Sequence, residues 1–287
     1  MKIVIFGVGL IGGSCALALK QANLAKTIIG VGRTRASLES ALALGVIDSI
    51  GHADRATLHD ADIVLLAMPV GQMSAVMAQI APHLGAQTVV TDAGSTKQDV
   101  LSFAYAQLGA HVARFVPAHP IAGAEISGVS AARADLFRHR KVVLTPLAEN
   151  LPQAVETIRT MWQACGAEVR EMQASRHDAV FAAVSHLPHL LAYALVHDIA
   201  SRPDADVMFE FAAGGFRDFT RIAGSHPEMW RDICIANRDA LLGEIDRYLH
   251  EVTALRHMLE QRDAAGLEQL FDFARNARSA WLAKLKT

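Results

Sequence analysis

Short apolar, β-branched runs alternate with longer helical patterns up to about Arg170. Ile3-Val4-Ile5-Phe6 reads as a buried strand, followed by a Gly-rich turn and an Ala/Leu-rich helix to about Gln21. Thr27 to Val31 predicts a second strand and Arg35 to Leu44 a second helix. Ile63 to Met68 gives a third strand, ended by Pro69, and Gln87–Thr91, Val112–Val116 and Val142–Thr145 continue the series. Strands that are apolar throughout, rather than at alternate positions, are buried on both faces. Separated by helices, they predict a parallel sheet with helices covering each side.

After Arg170 the pattern changes. From Ser175 onward no period-2 run occurs, only helical stretches broken at Pro188, Pro203, Gly214-Gly215 and Pro227. A switch from β/α alternation to helix alone marks a domain boundary near residue 171. Between Arg231 and Lys286 apolar residues recur at three and four positions over several turns. That stripe exceeds what a helical domain of this size buries alone, which predicts a homodimer built through the C-terminal half.

The bulk composition removes several classes. With 52% hydrophobic and 20% charged residues the chain is globular rather than disordered. A formal net charge of −2 supplies no basic surface for nucleic acid. Cys15, Cys165 and Cys234 are odd in number and far apart, as expected of reduced thiols in the cytoplasm. Ile63 to Thr91 has no charged side chain, but Pro69, Gly71, Pro82 and Gly85 interrupt it, so it reads as core and not as a membrane helix. The first strand begins at Ile3, and no signal peptide is expected ahead of it.

Gly7-Val8-Gly9-Leu10-Ile11-Gly12 lies between the first strand and the first helix, the setting that a dinucleotide loop requires. Gly7 permits the tight turn, Gly9 lets a pyrophosphate approach the backbone, and Gly12 lets helix and strand pack closely. The amides at the helix start, from Leu10 and Ile11 on, then face the phosphates. An NAD site places a carboxylate at the end of the second strand to hold the ribose hydroxyls. Here that position is Gly32, followed by Arg33, Thr34 and Arg35. Basic and hydroxyl groups at this place suit a 2′-phosphate, so the expected cofactor is NADP. The expected fold is α/β: an N-terminal Rossmann-type parallel-sheet domain over residues 1–171, then an all-α substrate and dimerisation domain over 172–287.

Further motifs fall at strand ends, where ligands collect in open α/β sheets. Met68-Pro69 ends the third strand beside the cofactor. Asp92-Ala93-Gly94-Ser95-Thr96-Lys97 ends the next, and His119 stands on an extended segment before Pro120. A rigidly held histidine near a nicotinamide is suited to take a proton from a hydroxyl while hydride leaves the same carbon. His186 and His189 are three residues apart, but no third ligand accompanies them and Pro188 distorts the helix, so no metal site is expected.

Together these motifs resemble the prephenate/arogenate (cyclohexadienyl) dehydrogenases of tyrosine biosynthesis. The matching elements are FGVGLIGGS at Phe6–Ser14, DAGSTK at Asp92–Lys97, HPIAGAEISG at His119–Gly128 and LTP at Leu144–Pro146. SHLPH at Ser185–His189, GGFRDFTRIA at Gly214–Ala223 and PEMWRDI at Pro227–Ile233 follow in the second half. The resemblance implies oxidative decarboxylation of prephenate or arogenate, with His119 accepting the hydroxyl proton and Ser95 orienting both. It implies that Arg221 pairs with a substrate carboxylate. His186, His189, Gly214 and Trp230 would line the same pocket, Trp230 from its own subunit or the partner's. Some relatives carry a chorismate mutase segment or a C-terminal regulatory extension. Neither is expected here, so regulation by tyrosine would act at the active site itself.

Two other classes compete. β-Hydroxyacid dehydrogenases and imine reductases lean on a lysine in the helical domain, yet no lysine occurs between Glu171 and Arg278. A catalytically dead NADP sensor, or a scaffold without a ligand, predicts loss of Ser95, His119 and Arg221, and all three are present.

Overall fold

The structure is a computed structural model that describes residues 1–123 and 128–284. Residues 124–127, within the HPIAGAEISG motif, and residues 285–287 lie outside the described residues. β1 (Lys2–Phe6), β2 (Thr27–Val31), β3 (Ser49–Ile50), β4 (Ile63–Leu66), β5 (Val89–Asp92) and β6 (Phe115–Val116) form one sheet in the order β3-β2-β1-β4-β5-β6. Every pairing in it is parallel. The pleat sends Ile3 and Ile5 of β1 to one side, with Leu19, Ile28, Ile63 and Trp162. Val4 and Phe6 go to the other, with Leu58, Val64, Met73 and Phe115. Both faces are therefore core, which is why Ile3–Phe6 and Ile63–Leu66 carry no polar position. Each such side chain stabilises the fold by about 1.5–3 kcal/mol through burial.

Helices α1 (Leu10–Gln21), α2 (Arg35–Ala43), α3 (Arg55–Leu58), α4 (Met73–Ile80) and α5 (Gln98–Gln107) connect the strands. The expected strand at Val112–Val116 is mostly something else: Gly109–Arg114 forms 3₁₀ turns and only Phe115–Val116 is extended. Gly109, at φ +54°, redirects the chain after α5, while Val112 still reaches the core. Val142–Thr145 also departs from expectation. β8 (Lys141–Leu144) belongs to a separate three-stranded sheet, between β7 (Ala118–Pro120) and β9 (Glu168–Glu171). β7 pairs antiparallel with β8, and His119 sits opposite Val143. Pro120 is tolerated because β7 is an edge strand. α6 (Pro152–Ala164) crosses between β8 and β9.

Glu171 ends the last strand, and every later element is helical. These are α7 (Ala174–Phe181), α8 (Leu187–Ala200), α9 (Ala205–Glu210), α10 (Gly214–Thr220), α11 (Pro227–Ala236), α12 (Arg238–Glu260) and α13 (Ala264–Lys284). Pro188 does not break the helical run as expected. A π turn at Ala182–His186 joins α7 to α8, and Pro188 falls in the first turn of α8, where a missing amide costs little. The run Ala174–Ala200 is long and apolar enough to cross a bilayer by length and composition. Its His177, Asp178 and His186 are nonetheless buried and hydrogen-bonded to neighbouring elements.

Two compact units result. Met1–Arg238 holds both sheets and α1–α11, and Asp239–Thr287 holds the rest. Within the second unit, Asp263 starts α13 by accepting the Gly266 amide at 2.9 Å. Leu249, Leu259, Phe271, Phe273 and Trp281 of these helices are exposed.

Candidate active site

The turn after β1 carries the glycines for visible steric reasons. Gly7 has φ +88°, and a Cβ there would meet the Ala67 carbonyl oxygen at 2.6 Å. A Cβ at Gly12 would meet the Gly7 carbonyl oxygen at 2.3 Å. Gly9 faces open space instead. The first helical bond runs from the Gly13 amide to the Gly9 carbonyl at 2.8 Å, so the amides of Leu10, Ile11 and Gly12 precede the helical ladder. A loop whose glycines leave the backbone bare, ahead of helix amides that have no place in the ladder, fits a dinucleotide pyrophosphate.

This turn opens on a cleft of about 1090 Å³, also lined by Gly32, Arg33, Thr34, Met68 and Pro69. Ser37, His52 and Gln72 share the lining and escaped the sequence reading. Thr34 sits at the N-cap position of α2, but its hydroxyl makes no capping bond. Arg35 lines the same cleft and pairs with Glu39 one turn on, at 2.8 Å.

The carboxyl end of β5 builds the next wall. Asp92 and Lys97 form an ion pair with no solvent exposure on either side chain. Such a pair is stable only if its remaining bonding capacity is met, and here it is. Asp92 accepts the amides of Gly94 at 2.7 Å and Ala118 at 3.1 Å, while the Lys97 ammonium also donates to the Ala118 carbonyl at 2.9 Å. The loop carrying Ser95 is thereby tied to the strand carrying His119.

His119 meets residues that sequence reasoning missed. Its Nδ1 lies 2.8 Å from Nε2 of His177, and Nδ1 of His177 lies 2.8 Å from Oδ1 of Asp178. Asp178 also accepts the amides of Lys97 and Gln98, each at 2.9 Å, and so clamps the start of α5. Burial, reinforced by the nearby His177, Lys97 and His186, holds the His119 pKa well below the usual histidine value. Burial lowers that of His177 as well, against the pull of Asp178. Asp178 is held below the ordinary carboxylate value. Burial opposes this, but the bonds from His177, Gln98 and Lys97 outweigh it.

Behind this group, the Asn237 amide nitrogen donates to the Asp178 carbonyl at 2.8 Å and to His186 Nδ1 at 3.0 Å. Burial pushes the His186 pKa down to about 4. His189 stacks on Trp230 at 3.6 Å, and His186 meets the same indole edge-on at 6.1 Å. Trp230 thus joins this wall from its own chain. The His189 pKa is lowered by burial and by the positive charge of Arg221. Gly214 opens α10 and is exposed, outside the buried cluster. The π turn is what aims His186 inward while α8 continues, a common use of such turns at functional sites. Among the described residues no group of three His, Cys, Asp or Glu side chains is disposed to hold a metal ion.

A parallel sheet with a dinucleotide loop, and a half-buried histidine tied to a buried His-Asp pair just beyond its carboxyl edge, is the arrangement of a nucleotide-dependent oxidoreductase. Residues 15–171 match the family model of the prephenate dehydrogenase nucleotide-binding domain, and residues 173–273 match that of its dimerization domain. The chain therefore belongs to the prephenate dehydrogenase family. It is 39% identical to a prephenate dehydrogenase of Bacillus subtilis, over 96% of this chain and 75% of that protein. It is 35% identical to a cyclohexadienyl dehydrogenase of Zymomonas mobilis, over 97% and 95%. Among solved structures, prephenate dehydrogenase from Aquifex aeolicus in complex with hydroxyphenyl propionate and NAD+ superposes with a TM-score of 0.90. That pair shares 33% identity and covers 97% of each chain.

Proposed function

We propose that this protein catalyses the NADP-dependent oxidative decarboxylation of prephenate, arogenate or both, yielding 4-hydroxyphenylpyruvate or tyrosine. Family membership supports the reaction class. The observation that carries the assignment of the base is His119, half-buried and fixed by its bond to His177 just beyond the carboxyl edge of the parallel sheet, where desolvation pushes its pKa well below the ordinary histidine value. A nicotinamide held in the cleft would supply the acceptor for the hydride that leaves C4 of the ring. Gly7, Gly9 and the α1 start at Leu10–Gly12 hold the pyrophosphate, and Met68 and Pro69 line the cofactor cleft. His119 takes the proton of the C4 hydroxyl, and Ser95 orients that hydroxyl. The bond to the departing carboxylate breaks with its electron pair entering the ring, which becomes aromatic as CO2 leaves, and the C4 oxygen takes its proton back from His119 to give the phenol. Arg221 pairs with a substrate carboxylate, and His186, His189, Gly214 and Trp230 surround the rest of the substrate. Residues 172–287 serve as the substrate and dimerisation half. The protein acts in the cytoplasm, without nucleic-acid or membrane partners.

Assaying prephenate and arogenate, each with NADP and with NAD, tests the reading. Formation of reduced cofactor with either substrate is expected, and no turnover of both overturns the proposal. For Arg221, a charged hydrogen bond to carboxylate contributes about 1.5–3 kcal/mol. Arg221→Ala is therefore expected to raise KM by roughly ten- to a hundredfold, and much more than it lowers kcat. An unchanged KM for both substrates removes the pairing.

The homodimer is part of the same proposal. Phe271, Phe273 and Trp281 are each more than half exposed, and α13 buries no residue of its own within the chain. Isolated helices of this kind gain most of their stability from packing an apolar face. Light scattering at micromolar concentration is expected to give twice the mass of the 30.9 kDa chain. A monomer there defeats the reading.

A further inference from the structure

The buried pair His177 and Asp178 has no role in the reaction as derived so far, although it lies directly behind His119. We propose that Asp178 and His177 are positioning residues that fix the tautomer of His119, leaving its Nε2 with a bare lone pair toward the substrate. The inference rests on the reading of His119 as the base.

From the carboxylate outward, each hydrogen has one possible place. Asp178 accepts two backbone amides, from Lys97 and Gln98, and both come from the rigid start of α5. An ionised carboxylate can only accept, so the ring nitrogen 2.8 Å from its Oδ1 must carry a hydrogen. That nitrogen is Nδ1 of His177. His177 is fully buried, and a neutral imidazole has one donor and one acceptor, so its Nε2 is bare. Across 2.8 Å, His119 Nδ1 must then be the donor. With its single hydrogen used there, neutral His119 presents Nε2 as an acceptor. A free imidazole divides its hydrogen between both nitrogens, so an unguided His119 would be the wrong tautomer for part of the time.

The groups around His119 agree with a neutral ring. Lys97 faces it from the β5 end, His177 from α7 and His186 from the π turn, while Asp178 and Asp92 act on His177 behind it. Lys97 and Asp92 are paired with each other, and their charges largely offset. The clamp has a second consequence. Because Asp178 holds both the amides of α5 and the ring of His177, the Ser95 loop and the base are set by one carboxylate.

Two measurements on the 287-residue chain test this. Long-range proton–nitrogen correlation spectra of histidine-labelled enzyme near pH 7 should show His119 protonated at Nδ1 and bare at Nε2, with signals assigned by comparison with His119→Asn and His177→Glu. A proton on His119 Nε2 in the parent protein overturns the proposal, whatever any variant does. The second measurement is the pH profile of kcat. His177→Glu supplies an acceptor only, so it should keep turnover within about tenfold and move the acid limb to higher pH, since a carboxylate beside His119 favours its protonated form. His177→Leu supplies no acceptor and should lower kcat at least tenfold, with substrate KM little changed. Equal loss in both variants, with no movement of the acid limb for His177→Glu, also overturns it. Full turnover by His119→Asn would instead refute the base assignment, leaving the tautomer measurement valid on its own.

Discussion

His119→Asn is expected to lower kcat by about 10²–10⁴-fold, the range a general base typically contributes. Asparagine is smaller than histidine but keeps one donor and one acceptor, so the bond to His177 can survive while the basic lone pair is lost. The side chain it replaces packs against Phe181 with ring centroids 4.9 Å apart, and that contact is reduced rather than turned into a buried charge. The cost therefore falls on the chemical step. NADP affinity should stay near the parent value, because His119 is absent from the residues that line the cofactor cleft. Steady-state kinetics and cofactor titration on the same preparation separate the two effects. Unchanged kcat removes His119 as the base. Because burial holds the His119 pKa well below the usual value near 6.5, the neutral form persists from neutral into mildly acidic pH. The parent's kcat should accordingly stay flat there and fall only once the pH approaches that lowered value.

The sheet and the cofactor loop were legible because their physics is local. Ile3–Phe6 has no polar position, since both of its faces are buried, and Gly7 and Gly12 stand where a Cβ would strike backbone. The unread strands lack that signal. Ser49–Ile50 is two residues long, and Glu168–Glu171 is a charged and largely exposed edge strand. Ala118–Pro120 is extended because Asp92 and Lys97 grip Ala118 from another strand end. His119 itself was legible from its place before a proline, but the partners that govern it were not. His177 lies 58 positions away, and the bonds from Asp178 to Lys97 and Gln98 span 81 and 80. In the sequence they are only an adjacent His-Asp early in α7, after Ser175 and Arg176 and just ahead of the apolar Ala179–Phe181. That oddity was the available signal, since a charged residue there needs a partner to be buried. The reading of Pro188 as a break erred for a related reason. Proline inside a helical pattern ends the helix unless the preceding turn widens, and the π turn at Ala182–His186 does so.

The cofactor preference rests on the end of β2. At this place an NAD enzyme needs an acceptor for the ribose hydroxyls, and a carboxylate there repels a 2′-phosphate. This chain has Gly32, with Arg33 and the uncapped Thr34 hydroxyl beside it in the cleft. Arg35 is already paired with Glu39, but both side chains are more than half exposed, and such surface pairs contribute only about 0–1 kcal/mol. Arg35 can therefore exchange that partner for a phosphate at little cost. Charged hydrogen bonds to phosphate contribute about 1.5–3 kcal/mol each, and 1.4 kcal/mol is tenfold in affinity. Two such bonds are expected to give NADP an advantage of roughly a hundredfold or more in kcat/KM. The Aquifex aeolicus structure was solved with NAD+, so the family does not decide the matter, and the residues of this chain must. Arg33→Ala removes one bond and should reduce the preference about tenfold. Gly32→Asp should shift it further, toward NAD, by adding an acceptor for the hydroxyls and repulsion for the phosphate. A Cβ at Gly32 would lie 3.4 Å from the nearest Leu38 methyl, so the aspartate enters with only a small adjustment of a flexible side chain. The ratio of kcat/KM for NADP over NAD, measured for the parent and both variants, is the test. A parent enzyme that prefers NAD refutes the reading, and a Gly32→Asp enzyme with an unchanged ratio shows that the discrimination lies elsewhere in the cleft.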